Sequence, residues 1–130
     1  ANDLGIGCSG TETGAILNRL ISADGQSGAI PEVVAGLRAR GVRVLWADYY
    51  TSPRYAGTPC GRVYDQMAGR TARMAAADAG VVYVDMGDVV SPTDLSLFAR
   101  DRIHPSPAGS ARIATLIEEA LRRADPALAR

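Results

Sequence analysis

A short segment near the end of the chain holds an aspartate and a histidine that are able to share a proton. The segment "ARDRIHPSPAGSARIA", residues 99–114, contains His104, the only histidine of the 130 residues, and Asp101 precedes it by three positions. An imidazole titrates near neutral pH, and a carboxylate beside its second nitrogen orients it and stabilises its protonated form. The spacing therefore predicts the general base and the orienting acid of an acyl transfer reaction. A surface histidine beside a loop aspartate is the alternative for a bare Asp-x-x-His pattern.

Two serines approach the sequence context of a nucleophile. Ser9 lies in "GCSGT", but Thr11 replaces the second glycine of Gly-x-Ser-x-Gly and no strand precedes the segment. Ser106 directly precedes Pro107, an order typical of a helix N-cap followed by the first helical residue. We therefore predict that the nucleophile lies outside the 130 residues.

Other polar side chains are expected at the carboxyl ends of two strands, where ligands bind in open α/β sheets. Tyr49 and Tyr50 close the first strand and Tyr55 follows in the next loop. These tyrosines either line an acyl pocket or pack the loop onto the domain. Asp85 and Asp88 flank the end of the second strand and are expected to act as turn and capping residues.

The composition excludes several classes of protein. Fourteen basic residues, all arginine, balance fourteen acidic ones, so nothing indicates nucleic-acid binding. No apolar run reaches the roughly 18 residues of a membrane span. The segment "GIGCSG", residues 5–10, lacks the preceding strand that a nucleotide-binding loop requires, so a nucleotide-binding half-domain ranks last. We predict no cofactor, and the absence of lysine with abundant alanine indicates a GC-rich bacterial source.

Cys8 and Cys60 are the only cysteines, and each lies in a glycine-containing loop segment. With one histidine they lack the ligand spacing of a metal site. Loop cysteines in a small domain favour a disulfide, and a disulfide predicts a secreted or cell-envelope protein. Two buried free thiols are the alternative.

The hydrophobic pattern predicts an alternation of helices and strands in a single domain, residues 1–130. Helices are expected over 15–25, 30–41, 62–79 and 106–124, strands over 42–50 and 81–86, and a short helix within 91–99. This order favours an α/β sandwich with a parallel sheet. Both strands are too apolar for sheet edges, and two strands alone do not make a stable sheet. We therefore expect further N-terminal strands to be missing or to be supplied by another chain.

Two segments resemble conserved blocks of the SGNH (GDSL) hydrolase family. "DRIHPSPAGSARIA", residues 101–114, resembles its last block, Asp-x-x-His-Pro followed by small polar residues, a glycine and a helix. "ANDLG", residues 1–5, resembles its Gly-x-Asn-Asp block without the glycine. The resemblance implies a three-layer α/β/α sandwich of flavodoxin-like type. It also implies His104 as base, Asp101 as orienting acid and Asn2 as oxyanion donor, with Asp3 as its companion.

The resemblance implies an esterase or lipase of the Ser-His-Asp kind that acts on a small-molecule or lipid ester. In that family the serine belongs to a Gly-Asp-Ser block that precedes the Asn-Asp block, and the 130 residues contain no Gly-Asp-Ser. An N-terminal fragment of the same enzyme, or a dimer mate, would then supply the missing strands. The alternative is an inactive α/β interaction module that a partner strand or dimerisation completes.

Overall fold

Helices and strands alternate along the part of the chain that the computed structural model describes, residues 12–125 and residue 127. The elements are α1 (Thr13–Leu20), α2 (Ala29–Arg38), β1 (Val44–Ala47), α3 (Pro59–Ala76), β2 (Val81–Val84), a 3₁₀ helix (Leu95–Leu97) and α4 (Pro107–Ala124). The predicted α/β class is therefore confirmed. Among the described residues, no helix is long and apolar enough to cross a membrane.

The two strands pair in parallel. Val44 N–H donates to the Gly80 carbonyl at 2.9 Å and Asp48 N–H donates to the Val84 carbonyl at 3.1 Å, so the ladder advances equally on both strands. The predicted parallel sheet is confirmed, but the strands are shorter than the predicted 42–50 and 81–86. Their middle residues are half-buried and not fully covered, because each strand has one neighbour among the described residues.

The described residues form two compact units. The first holds residues 12–46 and 57–83, and the second holds residues 47–56, 84–125 and 127. Both strands end in the second unit, and their carboxyl ends therefore lie there. That the two units belong to a single domain over residues 1–130 stays a prediction.

The first unit has an aliphatic core to which α1, α2, α3 and both strands contribute. Its buried members are Leu17, Ile21, Val34, Val44, Val63, Met67, Met74, Ala75 and Val81. Val63, Met67 and Met74 lie inward on α3, as the helical spacing predicts. Two expectations for this unit were wrong. The helical spacing within 30–41 predicts one apolar face of Val33, Val34 and Leu37, but Val33 and Leu37 are exposed, because α2 turns Pro31 and Val34 inward. The helix predicted to run to Gly25 ends at Leu20, because the next residue, Ile21, is extended with φ −161° and ψ 128°, and Gly25 lies in the following turn with φ +79°.

The second unit has a small core of Val90, Leu97 and Phe98, against which Tyr50 and Ile113 pack. The helix α4 begins beside this core with Ser106 as N-cap and Pro107 as first residue, so this prediction is confirmed. The Ser106 hydroxyl accepts from Gly109 N–H at 3.3 Å and donates to the Ser96 carbonyl at 2.7 Å. One side chain therefore caps α4 and ties it to the 3₁₀ helix.

The first turn of α4 contains a glycine, Gly109, because a larger residue does not fit there. A β-carbon at position 109 would lie 2.2 Å from the Leu97 carbonyl oxygen and 3.1 Å from the Pro105 side chain. The helix therefore approaches the backbone of the 3₁₀ helix at a distance that only glycine permits. The same approach brings α4 against the residues on either side of the Asp101–His104 turn.

We expect Gly109→Ala to lower the free energy of unfolding by about 1–3 kcal/mol, because α4 and Leu97 must move apart. Gly36→Ala is the matched control, since a β-carbon at position 36 of α2 meets nothing within 4 Å. The control should keep the stability or raise it by up to about 1 kcal/mol. Urea unfolding of the two variants measures the difference, and equal stabilities would contradict the close approach.

Candidate active site

Asp101 and His104 lie in a turn between the 3₁₀ helix and α4. Phe98 and Pro105 form an antiparallel bridge that closes the turn, and Ala99 N–H donates to the His104 carbonyl at 2.8 Å inside it. The backbone of Arg102 takes a left-handed conformation with φ 58°, which is uncommon for a residue other than glycine. The turn is therefore a defined structure in which the aspartate and the histidine face each other.

The Asp101 carboxylate accepts three hydrogen bonds. Its Oδ1 accepts from the backbone N–H groups of Ile103 at 2.9 Å and of His104 at 3.0 Å. Its Oδ2 lies 2.6 Å from His104 Nδ1. One carboxylate thus holds both the backbone of the turn and the imidazole ring.

These hydrogen bonds determine the charge of Asp101. The bond from the His104 side chain, and then those from the Ile103 and His104 N–H groups, hold the pKa of the Asp101 carboxyl far below the ordinary 3.8. The carboxylate is therefore ionised at neutral pH and only accepts hydrogen bonds. His104 Nδ1 must accordingly be the donor.

His104 is arranged to take up a proton at its second ring nitrogen. With Nδ1 as the donor, Nε2 carries the free lone pair of the neutral imidazole. Within residues 12–125, no group forms a hydrogen bond with Nε2. The His104 side chain is 74% exposed and the Asp101 side chain 43%. The arrangement is chemically that of an oriented base whose basic nitrogen is open to an approaching hydroxyl.

Tyr50 contacts the turn, a role the sequence left undecided. Its hydroxyl donates to the Ile103 carbonyl at 2.8 Å, and its ring lies 6.1 Å from that of Phe98. Of the two alternatives for this residue, the structure shows packing of a loop. The contact joins residues 53 positions apart, so no local spacing could have indicated it. Tyr49 has 42% of its surface exposed, and Tyr55 is half-buried.

The remaining candidate residues lie elsewhere or outside the described range. Asp85 Oδ1 accepts from Gly87 N–H at 2.9 Å, which confirms its turn role. A cleft lined by Asp85, Asp88, Val89 and Leu116 in the second unit includes neither member of the Asp101–His104 pair. Within the described residues, no group of three or more His, Cys, Asp or Glu could hold a metal ion.

Four predicted residues, Asn2, Asp3, Cys8 and Ser9, lie outside the described residues. The oxyanion role of Asn2 therefore stays a prediction. The half-buried Cys60 lies at the start of α3 and packs against the core of the first unit. Its pairing with Cys8 stays a prediction as well.

A carboxylate-oriented imidazole recurs on several unrelated folds in hydrolases that transfer acyl groups. A sequence profile of the GDSL-like lipase/acylhydrolase family matches residues 1–112. The chain belongs to this family, as the resemblance of its first and last segments predicted. No curated protein and no solved structure matched the chain.

The low pKa of Asp101 predicts a pH dependence with a definite sign. In the unfolded chain the carboxyl takes up a proton as the pH falls through 3.8, whereas in the folded chain it stays ionised to a lower pH. Its contribution to stability is therefore present above pH 3.8 and is lost as the pH falls through the folded pKa. A carboxyl ¹³C titration by NMR should show this delayed protonation.

The matched variant for this titration is His104→Ala. It removes the largest cause of the shift and keeps the two backbone N–H donors, so the pKa of Asp101 should rise and still remain below 3.8. An unchanged Asp101 titration in this variant would show that the imidazole does not bond the carboxylate in solution.

Proposed function

We propose that this chain supplies the base, its orienting acid and an oxyanion donor for the hydrolysis of a carboxylic ester. His104 is the base, Asp101 orients it and Asn2 donates to the oxyanion. The nucleophilic serine lies outside the 130 residues, and no cofactor takes part. The observation that supports this most strongly is the 2.6 Å contact between Asp101 Oδ2 and His104 Nδ1, with Nε2 left open.

The proposed reaction follows from the orientation of the imidazole. The serine hydroxyl attacks the ester carbonyl while His104 Nε2 takes its proton, and Asp101 stabilises the imidazolium. The carbonyl oxygen becomes an oxyanion, and one donor such as the Asn2 amide stabilises it by about 3–4 kcal/mol. His104 then returns the proton to the leaving alcohol. Water then attacks the acyl-enzyme while the same nitrogen takes its proton, and His104 returns that proton to the serine oxygen as the acid leaves.

Two features of the described residues support a nucleophile from elsewhere. Ser106, the serine nearest in sequence to His104, donates its hydroxyl proton to the Ser96 carbonyl and accepts from Gly109 N–H. The His104 side chain is 74% exposed, although catalytic electrostatics are strongest where water is excluded. A segment that carries the serine and covers His104 would meet both requirements.

Fluorophosphonate labelling followed by denaturing mass analysis tests this proposal. An adduct on a polypeptide that copurifies with this chain would support it, and an adduct on the 13.6 kDa chain itself would contradict the position of the nucleophile. If no adduct forms and p-nitrophenyl esters are not hydrolysed, the result favours the alternative, an inactive α/β module completed by a partner strand. That alternative rests on the absence of Gly-Asp-Ser from the 130 residues.

In the complete enzyme, which contains both this chain and the nucleophilic serine, we expect His104→Ala to lower kcat at least about 10⁴-fold. No other group takes the serine proton. Asp101→Asn should give a smaller loss. Glu119→Ala is the matched control, since Glu119 lies on α4 in an exposed pair with Arg123 at 3.7 Å. Hydrolysis of p-nitrophenyl acetate measures all three, and near-normal turnover of His104→Ala would rule out its role as base.

We further propose a Cys8–Cys60 disulfide and, from it, a secreted or cell-envelope location. Intact mass analysis without reductant should find the chain lighter by two hydrogens than after reduction. Cys60→Ser should abolish this difference. A chain of the same mass before and after reduction would refute the disulfide and remove the argument for the location.

A further inference from the structure

The peptide group that joins Ile103 to His104 is held at both ends. Its carbonyl accepts from the Tyr50 hydroxyl at 2.8 Å, and its N–H donates to Asp101 Oδ1 at 3.0 Å. A peptide group is planar, so the two bonds together determine its orientation. A donor on the carbonyl also polarises the group and strengthens its N–H as a donor.

Tyr50 is held in place by its own surroundings. Its ring packs against Phe98, with ring centroids 6.1 Å apart and planes at 56°, beside the core of the second unit. Burial, followed by the negative charge of Asp101, raises the pKa of the Tyr50 phenol above 10.0. The hydroxyl therefore keeps its proton at neutral pH and remains a donor to the carbonyl.

A second contact joins the same stretch of chain to the turn. Arg54 N–H donates to the carbonyl of Arg102 at 3.3 Å, the residue immediately before Ile103. The left-handed backbone of Arg102 is a conformation that persists only where surrounding contacts hold it. Residues 50–54 thus bond two consecutive carbonyls of the turn that carries His104.

We propose that Tyr50 is a positioning residue for His104. Its hydroxyl fixes the Ile103–His104 peptide plane, and this plane sets the starting point of the His104 side chain and the bond from its N–H to Asp101. Through these contacts Tyr50 keeps His104 Nδ1 hydrogen-bonded to Asp101 Oδ2 and leaves Nε2 available to accept a proton. The inference rests on the proposed function, because a positioning role presupposes that His104 is the base.

Tyr50→Phe tests the proposal, since it removes one oxygen and keeps the ring that packs on Phe98. His104 is the only histidine of the chain, so ¹⁵N NMR of the 130-residue protein shows a single imidazole. We expect exchange of the Nδ1 proton to become roughly two- to tenfold faster, the effect of weakening one hydrogen bond. The imidazole nitrogen shifts should move towards a mixture of the two tautomers.

Tyr83→Phe is the matched control, because it removes a tyrosine hydroxyl in the first unit, where Tyr83 packs against the core. It should leave the His104 signals unchanged. An unchanged Nδ1 exchange rate in Tyr50→Phe would overturn the proposal, even if the urea midpoint falls. Equal acceleration in both variants would also overturn it, because the effect would then be general loosening. The NMR result is independent of hydrolysis, so failure of the proposed ester hydrolysis would be recognised separately.

Discussion

The Asp101 carboxylate combines two tasks that proteins often assign to separate groups. Its Oδ1 accepts from two backbone N–H groups and so folds the turn, while its Oδ2 binds the imidazole of His104. The same bonds keep the carboxyl ionised, because each of them favours the charged form. An ionised carboxylate is an acceptor only, and this single constraint assigns the donor nitrogen of His104. The direction of the ring therefore follows from the fold of the turn.

The turn itself depends on contacts at its two ends and on one further side chain. The Phe98–Pro105 bridge closes it, and Ser106 and Gly109 hold the start of α4 against the 3₁₀ helix. Tyr50 adds a bond from the segment that follows β1. An exposed histidine would otherwise sample several rotamers, and ordering its side chain carries an entropic cost. Because of these contacts, the entropic cost of ordering His104 is part of the folding of the second unit.

This arrangement gives the family assignment a physical meaning. The proposed reaction needs the base to face the substrate, and ligands of open α/β sheets bind beyond the carboxyl ends of the strands. Here the carboxyl ends of β1 and β2 lie in the same unit as the Asp101–His104 turn. Gly109, the glycine of the segment that resembles the family's last block, allows α4 to pack on the Leu97 backbone. The same segment therefore holds the two residues of the proposed chemistry and a glycine with a structural role.

The sequence by itself was sufficient wherever the interacting groups are near neighbours. The Asp101–His104 contact spans three residues, the Ser106 cap lies within one helical turn, and the inward positions of α3 repeat with the helical period. Such interactions depend on local geometry, which residue type and spacing determine.

Only the tertiary structure decided which of several similar residues makes a given contact or is buried. Tyr49, Tyr50 and Tyr55 were equivalent in the sequence, and the structure shows the Tyr50 hydroxyl bonded to Ile103, a residue 53 positions away. Val33 and Val34 are both apolar neighbours, but Val34 is buried and Val33 is exposed. The strand lengths and the need for glycine at position 109 are of the same kind. Each depends on which distant segment packs against the residue, and spacing along the chain carries no information about that.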